Sequence, residues 1–412
     1  MALRRVLHLA LLEQEERREN RANREHNPRY HMRYQQIHHF GDIEFKRQFG
    51  FSKQHVDRLE AIFGPDLRPL RGDTGNPISP RDKILAFLAH CKSGNIIRST
   101  ANSAGISKNG ILISVHKVID AICSKKREFI RLPNILECAI ISEQNFRKKG
   151  LRNVVLSVDG KLFDLFNRPR ENEQGEVLTK MRLSFDEEEA DPTDDIRAPV
   201  SKDYYTYKRH YALNVMIIGD GTLIREVYAD SPGSFHDSHI YGGSQFKSRW
   251  ESPEFRPYIL LGDAGYPPST GMAVPYKENQ RQTDFTLEQI GKYHKSLSSI
   301  RTTQTESMFG RLVKVFPCLK SLRHYYIDVS TKLVIACCVL FNIREHLLSE
   351  EEDEDEITTE EKEEYMRCHE LAKEHFEAWM RANKATGRHM RRGAGQEGWL
   401  TREYLITTMV RR

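Results

Sequence analysis

The sequence predicts an α/β protein in which a mixed sheet flanked by helices follows an all-helical domain containing a helix-turn-helix. Two apolar runs of β type, Val154-Val155-Leu156-Ser157-Val158 and Tyr258-Ile259-Leu260-Leu261, supply the first indication. Almost every residue in them is apolar or small, the pattern of strands covered on both faces. A second is the pair of runs Tyr211 to Ile218 and Leu223 to Ala229, joined by the hairpin signal Gly219-Asp220-Gly221. Apolar residues at helical spacing dominate positions 42 to 145 and recur after 306.

In chain order, residues 1–41 read as a basic, mobile arm whose Arg17, Arg18, Arg21, Arg24, Arg29 and Arg33 could neutralise phosphates. Val6 to Leu12 follows Arg4-Arg5 as in a signal peptide, but Glu13-Gln14-Glu15-Glu16-Arg17-Arg18 comes next without a small-residue cleavage site. Residues 42–148 read as the helical domain. Ser52 opens a segment with Val56, Leu59, Ile62 and Phe63 on one side, and Ser79-Pro80 forms a cap and first position for Ile84 through His90.

Between Ile96 and Ile119 two helical patterns flank the turn Ala104-Gly105-Ile106-Ser107, the helix-turn-helix signature. Ile111, Val115, Val118 and Ile122 are expected to face the core, leaving Lys108, Asn109 and Lys117 for a DNA major groove. Many such units only pack helices together, and Gly110 should weaken the second helix by about 1 kcal/mol against Ala. Lys125-Lys126-Arg127 adds a further basic cluster.

Three acids stand in distinctive settings between 149 and 348. Asp159 appears where the strand 154–158 should run out, and Asp263 follows Gly262 ahead of the turn signal Gly265-Tyr266-Pro267. Glu306 opens a helical pattern with Phe309, Leu312, Val313, Phe316 and Leu319. Positions 306, 309, 313 and 316 share one stripe, so Glu306 is expected on the core side. A carboxylate there is costly unless paired, and a divalent cation shared with two aspartates would pair it. Taken singly, each acid could instead form a turn, cap a helix or complement its dipole.

Ordered words surround these acids: Asp159-Gly160, the run Asp230 to Ser238 (DSPGSFHDS), the run Leu261 to Pro267 (LGDAGYP), the run Glu306 to Lys314 (ESMFGRLVK) and the run Ala336 to Ile343 (ACCVLFNI). Over about residues 150 to 347 the sequence resembles the nuclease domain of PIF/Harbinger-type DDE transposases and their domesticated relatives. The resemblance implies an RNase H-like fold whose triad, Asp159, Asp263 and Glu306, binds two magnesium or manganese ions. The implied activity is metal-dependent DNA cleavage at element ends and joining of the 3′-hydroxyl to target DNA. A domesticated DNA-binding or scaffold protein without catalysis is the alternative. The resemblance also implies double-stranded DNA as partner, a separate Myb/SANT-like helper protein, a nuclear location and at least a dimer on DNA.

The sequence departs from the family pattern in places. Lys161-Leu162 replaces the usual Thr-His after the first Asp-Gly, and Lys161 could contact phosphate or repel cations. The basic residue usually four positions before the glutamate is Arg301 at five, a shift of about 100° around an α-helix. Phe341 stands where the family commonly has His. A polar insert occupies about 167–203, including Asp186-Glu187-Glu188-Glu189 and Asp194-Asp195. His236 and His239 have a His-x-x-His spacing without a third ligand, so zinc is not expected, and His236 and Asp237 are assigned supporting roles.

The remaining features bound the reading. The net charge of +5 over 412 residues says little, and 39% hydrophobic residues suffice for globular cores. No apolar run is long enough to span a membrane. The seven cysteines include no Cys-x-x-Cys pair, which favours a reducing compartment. Residues 349–412 read as an acidic linker, Glu350 to Glu356, followed by a helical tail with Tyr365, Cys368, Ala372, Phe376 and Trp379 at helical spacing and Arg388, Arg391 and Arg392 downstream. That tail could bind a partner or fold back on the sheet domain.

Overall fold

The computed structural model describes residues 40–68, 78–94, 97–171, 177, 199–277, 285–324, 326–351, 357–384 and 396–409. The arginine-rich arm, the acids of the polar insert at 186–189 and 194–195, most of the acidic run and Arg388, Arg391 and Arg392 lie outside the described residues. The chain divides into two compact units, residues 1–121 and 122–412, so the division falls within a helix rather than at 148.

The first unit is helical. Helix α1 (Asp42–Phe49) buries Phe45 and Phe49 and stops at Gly50, whose φ of 81° favours glycine. Helix α2 (Lys53–Phe63) is capped by Ser52, whose hydroxyl accepts from the His55 amide, and buries Val56, Leu59 and Phe63. Helix α3 (Pro80–Lys92) starts at Ser79-Pro80 as expected and is buried from Lys83 to Cys91, with Lys83 Nζ donating to the Leu67 carbonyl at 2.6 Å. Helices α4 (Ile97–Ala104) and α5 (Lys108–Ser124) flank Gly105, Ile106 and Ser107, and Ser107 Oγ accepts from the Gly110 amide at 3.1 Å.

Gly110 is there for space. A Cβ at this position would lie 2.8 Å from Ile106 Cγ2 and 3.3 Å from Ile78 Cδ1. The intrinsic helix penalty of glycine is offset by the close approach that it permits.

The second unit is built on a mixed five-stranded sheet of order β3-β2-β1-β4-β5. Strands β1 (Val154–Asp164), β2 (Ala212–Gly219) and β3 (Ile224–Pro232) are antiparallel, whereas β4 (Ile259–Leu261) and β5 (Met272–Ala273) continue the sheet in parallel. The expected hairpin is present: Asp220 Oδ1 accepts from the amides of Thr222 and Leu223, and Gly221 adopts φ 103°. One expectation fails in detail. β1 does not end at Asp159, because its pairing with β2 runs on to Asp164 opposite Ala212.

Helices cover both faces. Helix α6 (Lys126–Phe129) precedes α7 (Ile135–Lys149), which places Cys138 and Ala139 in a core with Leu156, Val158, Met216, Ile218 and Leu260. Helices α8 (Asp237–Gly242) and α9 (Gln245–Trp250) add Ile240, Tyr241, Phe246 and Trp250 to it. A second core joins Val154, Ile259 and Leu261 to Tyr293, Leu297 and Ile300 of α10 (Leu287–Arg301). After α10 come a π-helical turn (Thr302–Glu306), α11 (Ser307–Val315) and α12 (Ile327–Glu351). Asn342 of α12 accepts from the Ile224 amide and donates to its carbonyl, satisfying an outer edge of β3.

The C-terminal helices α13 (Thr359–Lys384) and α14 (Gln396–Met409) are part of this unit. Phe376, Met380, Leu400, Tyr404, Leu405 and Ile406 sit in the second core, and Asn153 Nδ2 donates to Tyr404 Oη at 2.9 Å. A Cβ on Gly398 would lie 2.3 Å from the Pro268 carbonyl oxygen, so α14 lies directly against the loop that follows β4. Of the two alternatives for the tail, folding back on the sheet is the one observed. No helix among the described residues is long and apolar enough to cross a membrane.

Candidate active site

Register brings the two aspartates together. β1 and β4 run parallel with Ser157 opposite Leu261, and each aspartate stands two residues beyond that pair. Since side chains alternate along an extended chain, Asp159 and Asp263 emerge side by side. Asp263 then turns sharply, its Oδ1 accepting from the Gly265 amide at 2.7 Å.

Arg301 joins Asp159 from the end of α10. Its Nη2 lies 3.4 Å from Asp159 Oδ1, with both side chains largely buried. The one-residue displacement noted in the sequence is absorbed by the π-helical turn, in which the Ser307 amide reaches back five residues to the Thr302 carbonyl. Such a turn is an α-helix with one residue inserted, and it undoes a rotation of about 100°. Gln304 fixes the turn on the sheet: its Oε1 accepts from Ser157 Oγ at 2.6 Å and its Nε2 donates to the Val155 carbonyl at 2.9 Å.

The same turn corrects the expectation for Glu306. The stripe 306, 309, 313 and 316 presumed an unbroken α-helix, but Glu306 is exposed and Val313 only half-buried, while Met308, Phe309, Leu312 and Phe316 face the core. Unwinding to a wider turn buries Gln304 and Thr305 and rotates Glu306 out to solvent.

Asp237, at the start of α8, is the third acid beside Asp159 and Asp263. Asn214 of β2 donates to its Oδ1 at 2.6 Å and to the Phe235 carbonyl at 2.8 Å. Its carboxylate occupies the space a side chain at Gly160 would need, with Cγ 2.3 Å from an ideal Cβ there. Burial raises the Asp159 pKa to about 6; Arg301 opposes the shift, and the charges of Asp237 and Asp263 add to it. Asp237 is likewise raised, first by burial and then, against the Asn214 hydrogen bond, by Asp263. Among the described residues no three acidic side chains have their oxygens within 4.8 Å of one another, so the acids line the site without closing on one point.

Other expected residues are placed differently. His236 is exposed at the N-cap of α8 and makes no capping hydrogen bond, and the His239 ring packs edge-on against Phe235 at 5.6 Å, so the two histidines form no ligand pair. Lys161 shares a face with Asp159, is exposed, and holds its Nζ 5.6 Å from the centre of the Phe309 ring. Lys108, Asn109 and Lys117 are exposed on α5 of the first unit, whereas Ile111, Val115, Val118 and Ile122 are buried.

Three residues at the site escaped the sequence reading: Asn214, Gln304 and Tyr266. A lone Asn in the otherwise apolar Ala212–Gly219 was a usable signal, since a buried amide needs a partner. Gln304 in a polar run offered none. Tyr266 is buried with its hydroxyl lacking a hydrogen-bond partner among the described residues, and burial followed by the charge of Asp237 holds its pKa up.

The donor chemistry suits a hard divalent cation. Asp159 and Asp263 offer oxygen ligands, and the Asp237 and Asp263 charges that add to burial in holding the Asp159 proton are those a cation would neutralise.

Comparison with known proteins points to a DDE-type, transposase-derived nuclease. The DDE superfamily endonuclease family matches residues 193–342, which include Asp263 and Glu306 and begin after Asp159. The chain is 25% identical over 304 residues to "Putative nuclease HARBI1" of Homo sapiens, covering 72% of this chain and 75% of that protein. The Bos taurus protein of the same name matches with the same identity and coverage. Among solved structures, a cryo-EM piggyBac transposase synaptic complex with hairpin DNA aligns with 88% of this chain and 84% of that chain, at 9% identity and a TM-score of 0.33. Together these matches support a likeness to Harbinger-type, DDE transposase-derived nucleases.

Proposed function

We propose that the chain is a metal-dependent DNA endonuclease of the Harbinger transposase type, with an RNase H-like catalytic unit. The observation that carries this reading is the pairing of Asp159 and Asp263 by strand register, with Arg301 turned onto the same point by the π-helical turn. Asp159 and Asp263, with Asp237 beside them, would hold two magnesium or manganese ions, and Glu306, exposed on the π-helical turn, would be the carboxylate that must turn in to complete the set. Such ions, when bound, supply Lewis-acid stabilisation of the charge that develops during phosphodiester cleavage.

The chain's own residues would do the rest. Arg301, which touches Asp159 through Nη2, would offer its guanidinium to a phosphate oxygen as well. Lys161, exposed on the same strand face as Asp159, would add a second phosphate contact. Water would attack the phosphodiester and expel its 3′-oxygen, leaving a 3′-hydroxyl and a 5′-phosphate; that hydroxyl would then attack a target phosphodiester and displace the target strand's 3′-oxygen. Lys108, Asn109 and Lys117 on the exposed side of α5 would hold duplex DNA, a helix-turn-helix role. A nuclear location, a Myb/SANT-like helper and at least a dimer on DNA complete this reading.

A second reading, a DNA-binding protein without catalysis, is favoured by two details: Arg301 occupies Asp159 with a fixed positive charge, and Glu306 is exposed. Nicking of supercoiled DNA with magnesium or manganese, wild type against Asp263→Asn, separates the two. Cation-dependent nicking that disappears in the variant supports the nuclease. Folded, DNA-binding protein that fails to nick in either form supports the second reading.

A further inference from the structure

The far end of β1 carries a feature the triad does not use. All the exposed Phe, Tyr or Trp rings among the described residues lie there: Phe166 is 58% exposed, Tyr205 46% and Tyr207 84%. Single exposed rings are ordinary on protein surfaces, but rings gathered with cations beside them are not. The Arg323 guanidinium sits 4.2 Å from the centre of the Phe166 ring, and Lys208 Nζ lies 5.7 Å from that of Tyr207.

The backbone holds them out. The Thr206 amide donates to the His210 carbonyl at 2.9 Å and the Arg209 amide to the Thr206 carbonyl at 3.0 Å, making a tight hairpin with Tyr207, Lys208 and Arg209 exposed at its tip. Arg209 is forced to φ 66°, a conformation that side chains other than those of glycine and asparagine rarely adopt. Thr206 anchors the base, its Cγ2 2.7 Å from where a Cβ on Gly233 would lie, and His210 Nε2 lies 2.9 Å from Asp164 Oδ1. Phe166 joins the same end of the sheet: the Leu165 amide donates to the Tyr211 carbonyl and the Phe166 amide to the Leu322 carbonyl.

We propose that this hairpin, together with Phe166 and Arg323, is a stacking grip for unpaired DNA bases, with Arg323, Lys208 and Arg209 engaging the adjoining phosphates. Planar faces beside cations fit a single strand, since every base has a face to stack and every nucleotide a charge. The grip lies roughly 20 Å along β1 from Asp159, the length of about six nucleotides. It holds DNA that is splayed open about that far from the cleaved bond. The assignment rests on the nuclease reading for its substrate class.

The test is binding by the full chain, without divalent cation, to a mixed-sequence single-stranded oligonucleotide and to its fully paired duplex. Tyr207→Ala and Phe166→Ala should each weaken single-strand binding about tenfold and leave duplex binding within about twofold, with Tyr207→Trp restoring it. Arg323→Ala should flatten the salt dependence of single-strand binding by about one phosphate contact. Equal affinities of Tyr207→Ala, Phe166→Ala and wild type for the single strand overturn the proposal, as does equal loss on both DNAs. Unchanged DNA binding with lost self-association in sedimentation assigns the rings to a protein contact and also overturns it. Because cleavage is silent without divalent cation, a failed nicking assay and a failed binding assay remain distinguishable.

Discussion

The Arg301 guanidinium lies 3.4 Å from the carboxylate of Asp159, although 142 residues separate them in sequence. The contact does not make Asp159 a strong acid. Burial and two neighbouring aspartates outweigh the arginine, and its pKa stands at about 6. The site therefore carries more negative charge than Arg301 alone neutralises, which leaves it receptive to added cations.

A pH-dependent stability follows. Asp159 binds its proton more tightly in the folded chain than an ordinary aspartate, whose pKa is 3.8, so its contribution is full below about pH 4 and is lost as pH rises through about 6. In metal-free buffer Asp159→Asn should be more stable than wild type near neutral pH, on the order of 1–3 kcal/mol, and the gap should close in acid. Thermal melts across pH read this directly. A variant less stable than wild type at neutral pH would show that the Arg301 pairing dominates instead. Adding magnesium should raise the melting temperature of wild type more than that of the variant.

Deleting Thr303 should turn the π-helical turn into ordinary α-helix. The spacing from Arg301 to Glu306 would fall by one, and Arg301 would swing about 100° away from Asp159. Nicking should drop about 100-fold, as for a misplaced catalytic group, and the Asp159 pKa should climb above about 6. Arg301→Lys keeps the charge and should cost less. Unchanged nicking by the deletion variant would separate the π-helical turn from the chemistry.

Gly160→Ala should evict the Asp237 carboxylate, whose Cγ stands 2.3 Å from the new Cβ. We expect a loss of about 1–3 kcal/mol, with a coupling of about 0.5–3 kcal/mol to Asp237→Ala because the second change removes the clash. A double-mutant cycle by urea denaturation measures it. Strict additivity would place Asp237 elsewhere in solution.

Gly110→Ala, which helix propensity alone would favour by about 1 kcal/mol, should instead destabilise the first unit by about 1–3 kcal/mol through its clash with Ile106. A raised melting temperature for this variant would show that Ile106 yields.

What could be read from the sequence was what local pattern specifies. Val154–Val158, the hairpin at Asp220 and the Ser79-Pro80 helix start each declared themselves through burial period, turn residues or capping. Asp159 and Asp263 were readable because each follows an apolar run. The length of β1 was not, since it depends on how far β2 happens to run alongside. The facing of Glu306 was misjudged because a π-helical turn is stabilised by Gln304 reaching a distant strand, and no spacing within the helix encodes that. The C-terminal helices left two options open, and the burial of Phe376, Leu400 and Tyr404 beneath β4 decides between them.

Helix α14 rests against the Pro268 loop that continues from Asp263, yet some 130 residues of chain lie between Pro268 and Gly398. At ordinary rates of protein synthesis that stretch takes on the order of 10 s to emerge. Asp159, Asp263 and Glu306 thus emerge before the helix that packs against the loop following Asp263 exists. The loop that carries Asp263 therefore gains its α14 packing only once the end of the chain has been translated.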